Sequence, residues 1–228
     1  MGSVWAIGDV HGHANLLERL LETLPRESSD TTVFLGDYID RGPDSARVIE
    51  IALAQENAVL LWGNHEDMAA FALGEPWPSV LDYDPFDWYR NGGFDTCTSL
   101  GLSKEDAFRQ ECPLLMRELF AQLQLFWQDP ATGTFFVHAG IPPGVHPENC
   151  DAETLLWDRQ TLKQLDPSGR FYICGHTPQA SGMPLVLPDK ICLDTGAAYD
   201  GPLSALKWPE RELYQAHPDG TVSGPTII

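Results

Sequence analysis

The chain is short of basic residues. Its 228 residues hold 14 Lys and Arg against 33 Asp and Glu, a formal net charge of −19. A nucleic-acid backbone is excluded as an expected partner, because there is no basic stripe to release counterions. An anionic membrane surface is disfavoured for the same reason. No apolar run approaches the ~20 residues that span a bilayer, and no basic stretch followed by an apolar core and a cleavage site opens the sequence. Cysteine is sparse. The five, Cys97, Cys112, Cys150, Cys174 and Cys192, are odd in number and none has Cys-x-x-Cys spacing. A disulfide framework and a thiolate zinc site are therefore not expected, and a reducing cytoplasm fits. Internal repeats and low-complexity tracts are also missing, so one domain over 1–228 is the expectation.

What is present is an alternation. Buried-strand runs stand at 4–7 (VWAI), 32–35 (TVFL), 58–62 (AVLLW), 134–137 (TFFV), 171–174 (FYIC) and 190–193 (KICL). They are short, β-branched and aromatic. Between the first two, Leu16, Leu17, Leu20, Leu21 and Leu24 follow helical spacing. A second helical pattern, PDSARVIEIALAQE, opens on Pro43, which suits a first helical turn. A third, PLLMRELFAQLQLF, reads as one amphipathic helix over 113–126. After Asp200, GPLSALKW and RELYQAH read as antiparallel strands. The pattern predicts an α/β fold with its sheet covered by helices. Residues 73–100, rich in Pro, aromatics and acids, break the rhythm and read as an ordered excursion over one face. Its aromatics Trp77, Tyr83, Phe86, Trp88 and Tyr89 read as local packing.

Each of five runs ends in a polar signature. GDVHG brings Asp9 and His11; GDYIDRG brings Asp37, Asp40 and Arg41; GNHED brings Asn64 and His65; HAG brings His138; GHT brings His176. Any one alone reads as a strand-to-helix turn or a buried histidine. Together they deliver Asp, His and Asn to the carboxyl ends of successive strands, where open α/β sheets bind ligands. Oxygen and nitrogen donors without thiolate suit Mn, Fe, Zn or Mg. Two such ions sharing a carboxylate can clamp a phosphoryl group and lower the pKa of bound water.

The ordered set GDVHG, GDYIDRG, GNHE, HAG and GHT resembles the phosphoprotein phosphatase branch of the calcineurin-like metallophosphoesterases, its small bacterial and phage members most of all. LLWDR and LDTGAAYDG extend the likeness over nearly the whole chain. The resemblance implies a β-sandwich of two mixed sheets flanked by helices. It implies two divalent ions, Mn before Fe, Zn or Mg. Asp9, His11 and Asp37 would hold one; Asp37, Asn64, His138 and His176 would hold the other. It also implies His65 as general acid oriented by Asp40, with Arg41 and Arg159 binding phosphate oxygens and Asn64 near the substrate. The implied activity is hydrolysis of phosphoserine or phosphothreonine esters by attack of a metal-bridging hydroxide, with phosphoproteins, phosphopeptides and small aryl phosphates as substrates. Dinucleoside polyphosphate hydrolysis is the alternative, and a noncatalytic metal- or phosphate-binding module the remote one. Trp62 departs from the family pattern, which often has a basic residue just before GNHE. His13, Asp67 and Asp194 read as turn or helix-start residues, and Glu75, Asp82, Asp84 and Asp87 as an acidic rim favouring basic substrate flanks.

Overall fold

A computed structural model describes residues 2–78, 81–84, 86–102 and 112–228. Its first half alternates as expected: β1 (Val4–Ile7), α1 (Ala14–Thr23), β2 (Thr31–Phe34), α2 (Ser45–Leu53), β3 (Ala58–Leu61) and α3 (Asn64–Ala72). Two short helices follow, α4 (Phe94–Ser99) and α5 (Leu114–Phe120), then β4 (Leu123–Gln124), β5 (Phe126–Gln128) and β6 (Phe135–Val137). Next come α6 (Ala152–Trp157), β7 (Tyr172–Cys174), β8 (Leu185–Leu187) and β9 (Lys190–Cys192). The chain closes with β10 (Leu203–Trp208), β11 (Glu212–Ala216) and β12 (Val222–Ile227).

The strands form two mixed sheets. One runs β12-β11-β10-β1-β2-β3-β4 and the other β5-β6-β7-β9-β8. Pairing is parallel from β1 through β4 and along β6, β7 and β9. Antiparallel strands flank these cores. The period-2 alternation of side chains decides which layer each residue fills. Val4 and Ala6 of β1 face Phe136, Ile173 and Ile191 across the sandwich. Trp5 and Ile7 point the other way, into the layer of Leu16, Leu17, Leu20, Val48 and Ile49 from α1 and α2. Phe135, Val137, Tyr172 and Cys174 cover the outer face of the second sheet against Leu155 of α6. Strands buried on both faces have no polar side to display, which is why they read as continuous apolar runs. Fully buried leucines such as Leu17 and Leu20 contribute roughly 1.5–3 kcal/mol each.

Two readings change. The helix expected over 113–126 stops at Phe120. Leu123 pairs with Leu60 of β3, and Phe126 pairs with Val137 of β6. The LQLF stretch thus steps from the edge of one sheet to the edge of the other. Its apolar residues match both a helical and a strand period, and the two open sheet edges decide between them. The C-terminal hairpin gains a third strand, β12, which its internal Gly224 and Pro225 disguised; proline is tolerated there because β12 is an edge.

Candidate metal centre

All five signatures meet at one end of the sandwich, drawn from β1, β2 and β3 of the larger sheet and β6 and β7 of the smaller. The turns that carry them are tight. His11, Asp37, Asp40, Arg41 and His176 all have positive φ, 47° to 73°. Non-glycine residues adopt this region at a cost, and such residues cluster where surrounding structure over-determines them for function. Close approach is enforced as well: a Cβ on Gly63 would lie 2.1 Å from Asp37 Oδ1.

Two buried clusters result, His11–Asp37–His65 and Asp37–His138–His176. Asp37 belongs to both, its Oδ2 3.3 Å from His11 Nε2 and its Oδ1 3.4 Å from His138 Nε2. Asn64 Oδ1 lies 2.9 Å from His138 Nε2 and 2.9 Å from His176 Nδ1. Asp9 accepts the backbone N–H of His176 at 2.9 and 3.2 Å. The residues expected for both ions are therefore gathered, and His65 stands with His11 and Asp37 in the first cluster.

The hydrogen bonds behind the rings test whether cations fit. His11 Nδ1 faces Ile39 O at 2.9 Å and His138 Nδ1 faces Leu35 O at 2.7 Å. His176 Nε2 faces Trp157 O at 3.2 Å. Each carbonyl takes the ring's N–H and leaves the other nitrogen an acceptor. Burial, against the pull of Asp37, lowers the His138 pKa. Burial, then His138 and Arg159, holds His176 down to about 3. In their neutral forms, which burial favours, these two rings point the lone pairs of their free nitrogens at the oxygens of Asp37 and Asn64. Acceptors facing acceptors need a cation between them. The donor set fits two divalent ions.

The carboxylates agree. Burial pushes the Asp37 carboxyl up, but positive charge on His138, His65 and His11 outweighs it and holds the carboxyl well below its ordinary range, so this carboxylate answers to cations around it. Burial, then Asp194 and Asp37, raises Asp9 well above its own. Asp194 is itself pushed up to about 6, by burial first. It makes the expected turn bond, accepting Gly196 N–H at 3.1 Å, and also stands beside Asp9.

His65 Nδ1 lies 2.6 Å from Asp40 Oδ2, both buried. Arg41 Nη1 donates to His11 Nε2 at 2.9 Å and its guanidinium lies over Tyr199. Arg159 is exposed just beyond α6, within electrostatic reach of His176. Trp62 offers nothing to the site; its ring stacks on Phe120 at 5.4 Å.

The structure adds residues that the sequence pattern does not single out. Glu66 accepts the backbone N–H groups of Asp37, Tyr38, Ile39 and Gly63 at 2.9–3.3 Å, and so fixes the turn that holds Asp37. Its signal was an acid three residues after a helix cap. Trp88 packs within the excursion as expected and also donates its Nε1–H to both oxygens of Asp40, at 2.9 and 3.0 Å. Thr96 Oγ1 donates to Asp40 Oδ1 at 2.6 Å. A buried tryptophan needs an acceptor, but nothing local says which. The acidic rim is weaker than expected: Arg90 pairs with Asp84 and Asp87, and Arg117 with Glu75.

A buried centre of this kind on a two-sheet sandwich defines a metal-dependent phosphoester hydrolase. The calcineurin-like phosphoesterase family matches residues 2–180, and the chain belongs to it, within the phosphoprotein phosphatase branch. It is 30% identical over 210 residues to serine/threonine-protein phosphatase 1 of Salmonella typhimurium, covering 90% of this chain and 91% of that one. It is 27% identical to the asymmetrical bis(5'-nucleosyl)-tetraphosphatase PrpE of Oceanobacillus iheyensis, over 91% and 89%. A protein serine/threonine phosphatase structure from Saccharomyces cerevisiae superposes with a TM-score of 0.62 at 16% identity, over 100% of this chain and 80% of that one. No helix among the described residues is long and apolar enough to cross a membrane.

Proposed function

We propose that this protein is a serine/threonine phosphomonoesterase of the cytoplasm that uses two divalent ions, manganese best. The observation that carries the reading is the His65–Asp40 pair at 2.6 Å beside the two clusters joined by Asp37. A module that only bound metal or phosphate would need no such proton donor. Asp9, His11 and Asp37 would hold one ion, and Asp37, Asn64, His138 and His176 the other. Bound there, the ions supply an activated water and neutralise charge on the phosphoryl oxygens.

The chain's own residues do the rest. Arg41 offers a planar fork to the phosphoryl oxygens, and Arg159 reaches in from the exposed side. Asn64 orients the group between the clusters. Asp40 takes the Nδ1–H of His65 and aims its Nε2. As the P–O bond breaks, a proton carried on Nε2 passes to the leaving oxygen of serine or threonine, which becomes the free hydroxyl.

Dinucleoside polyphosphate hydrolysis is the second reading, favoured by the likeness to the asymmetrical tetraphosphatase. Against it, a tetraphosphate chain needs several cations along its length. The position just before GNHE holds a tryptophan stacked in the core, and Arg90 and Arg117 are engaged by carboxylates. Comparing kcat/KM on a phosphoserine peptide, an aryl phosphate and diadenosine tetraphosphate tests the choice. Turnover should be lost to a chelator and restored best by Mn. A clear preference for the dinucleotide would overturn the protein-phosphatase reading.

A further inference from the structure

The carboxylate of Asp40 is enclosed. Oδ2 faces His65 Nδ1 at 2.6 Å and Trp88 Nε1 at 3.0 Å. Oδ1 takes Trp88 Nε1 at 2.9 Å and Thr96 Oγ1 at 2.6 Å. The Asp40 backbone N–H in turn donates to Thr96 Oγ1 at 2.9 Å and to Ser45 Oγ at 3.1 Å. Asp40, His65, Trp88, Thr96 and Ser45 are all buried. Two of these partners come from the excursion, some fifty residues away in sequence. Gly92, at φ 114°, lets that segment lie against the Asp40–Arg41 turn; a Cβ there would sit 2.6 Å from Arg41 N.

Chemistry gives the enclosure a direction. An indole N–H can only donate. With Trp88 and Thr96 both giving protons to Asp40, the aspartate stays an acceptor toward His65. His65 then keeps one N–H on Nδ1 toward Asp40, and the proton it can give away is the second one of the imidazolium, on Nε2, which faces the reacting group. Hydrogen bonds to a charged group are stronger than neutral ones and fix geometry.

We infer that Trp88 and Thr96 are positioning residues for the leaving-group proton transfer, acting through Asp40 on His65, and that the 88–99 segment is part of the catalytic apparatus for this reason. This rests on His65 being the acid, as proposed above. Removing a donor from Asp40 therefore impairs protonation of a poor leaving group and spares a good one, which needs little.

The test uses Trp88→Phe, Thr96→Val, Thr96→Ser and His65→Asn in the full chain, each checked for metal content. Steady-state kcat is read on a phosphoserine peptide and on an activated aryl phosphate. Trp88→Phe and Thr96→Val should each lower kcat on the peptide by ~10-fold, the scale of a hydrogen bond to a charged group. On the aryl phosphate the loss should stay under about 3-fold. Thr96→Ser should keep wild-type behaviour. In the His65→Asn background, Trp88→Phe should cost nothing more, because the residue through which it acts is gone. Should the tryptophan variant fail to fold, the near-isosteric Thr96→Val decides alone. Equal losses on both substrates in Thr96→Val, or fully additive losses in the double variant, would overturn the inference while leaving His65 as the acid. Equal losses on both substrates in His65→Asn itself would sink both.

Discussion

The turns after the strands and the 88–99 segment serve the same centre by different means. The turns place acceptors at short range from rigid sheet ends. Three of them, after β1, β2 and β7, turn through left-handed backbone, and the far nitrogens of His11, His138 and His176 are tied to main-chain carbonyls. The 88–99 segment places donors, and Trp88 and Thr96 aim theirs at Asp40. The turns build a cation site; the segment supports a proton donor. A change at an expected ligand in a turn should therefore alter metal content, and a change at His65, Asp40 or the segment behind them should alter leaving-group sensitivity.

The largest effect should come from Asp37→Asn, because Asp37 belongs to both clusters. Its kcat should fall further than that of Asp9→Asn or His176→Asn, and elemental analysis should show loss of metal from both sites. Full metal occupancy in Asp37→Asn would break the distinction at its root. Next comes His65→Asn, expected to lower kcat on a phosphoserine peptide by ~10²–10⁴-fold. Metal content should stay near normal and the deficit should shrink on aryl phosphates. Asp40→Asn should give a milder form of the same pattern.

Glu66→Gln sharpens the comparison from below. Glu66 holds four backbone N–H groups around the Asp37 turn. The amide keeps one acceptor oxygen and turns a donor toward the others. Urea unfolding should show a loss of about 1–3 kcal/mol, the cost of leaving buried donors unpaired. Metal affinity should fall with it, since the turn loosens. Unchanged affinity would mean that Asp37 is placed by the sheet end alone.

The last expected effect bears on stability rather than turnover, and it is a gain. Burial raises Asp194 from an ordinary 3.8 to about 6. Its folded form thus binds a proton more tightly than its unfolded form. Above pH ~6 the folded protein holds a buried charge that the unfolded chain carries in water, so Asp194 lowers stability there. Below pH ~4 both forms are protonated and the cost vanishes. Asp194→Asn in metal-free protein should add up to about 3 kcal/mol at pH 7, since each tenfold change in proton affinity is worth about 1.36 kcal/mol. The gain should disappear on acidification. A loss at pH 7 would show that the ionised carboxylate supports the Asp9 turn.

The alternation of strands and helices, the five polar signatures and their place at the carboxyl ends of the strands were readable in the chain. The reason is local: a buried run announces a strand, and Gly-Asp, Gly-Asn-His or His-Ala-Gly directly after it sits at that strand's carboxyl end whatever the rest of the fold does. The end of the third helical pattern was not readable, because LQLF suits a helix or a strand equally until two sheet edges compete for it. Nor was the role of Trp88 and Thr96. An aromatic with one N–H and a threonine look like packing in any sequence, and their acceptor lies some fifty residues back. The rim charges likewise depended on which arginine folds onto which carboxylate. Residue type and position in a strand–turn unit carry the first kind of information. Hydrogen bonds and ion pairs between segments remote in sequence carry the second, and they exist only once both sheets have closed around the centre.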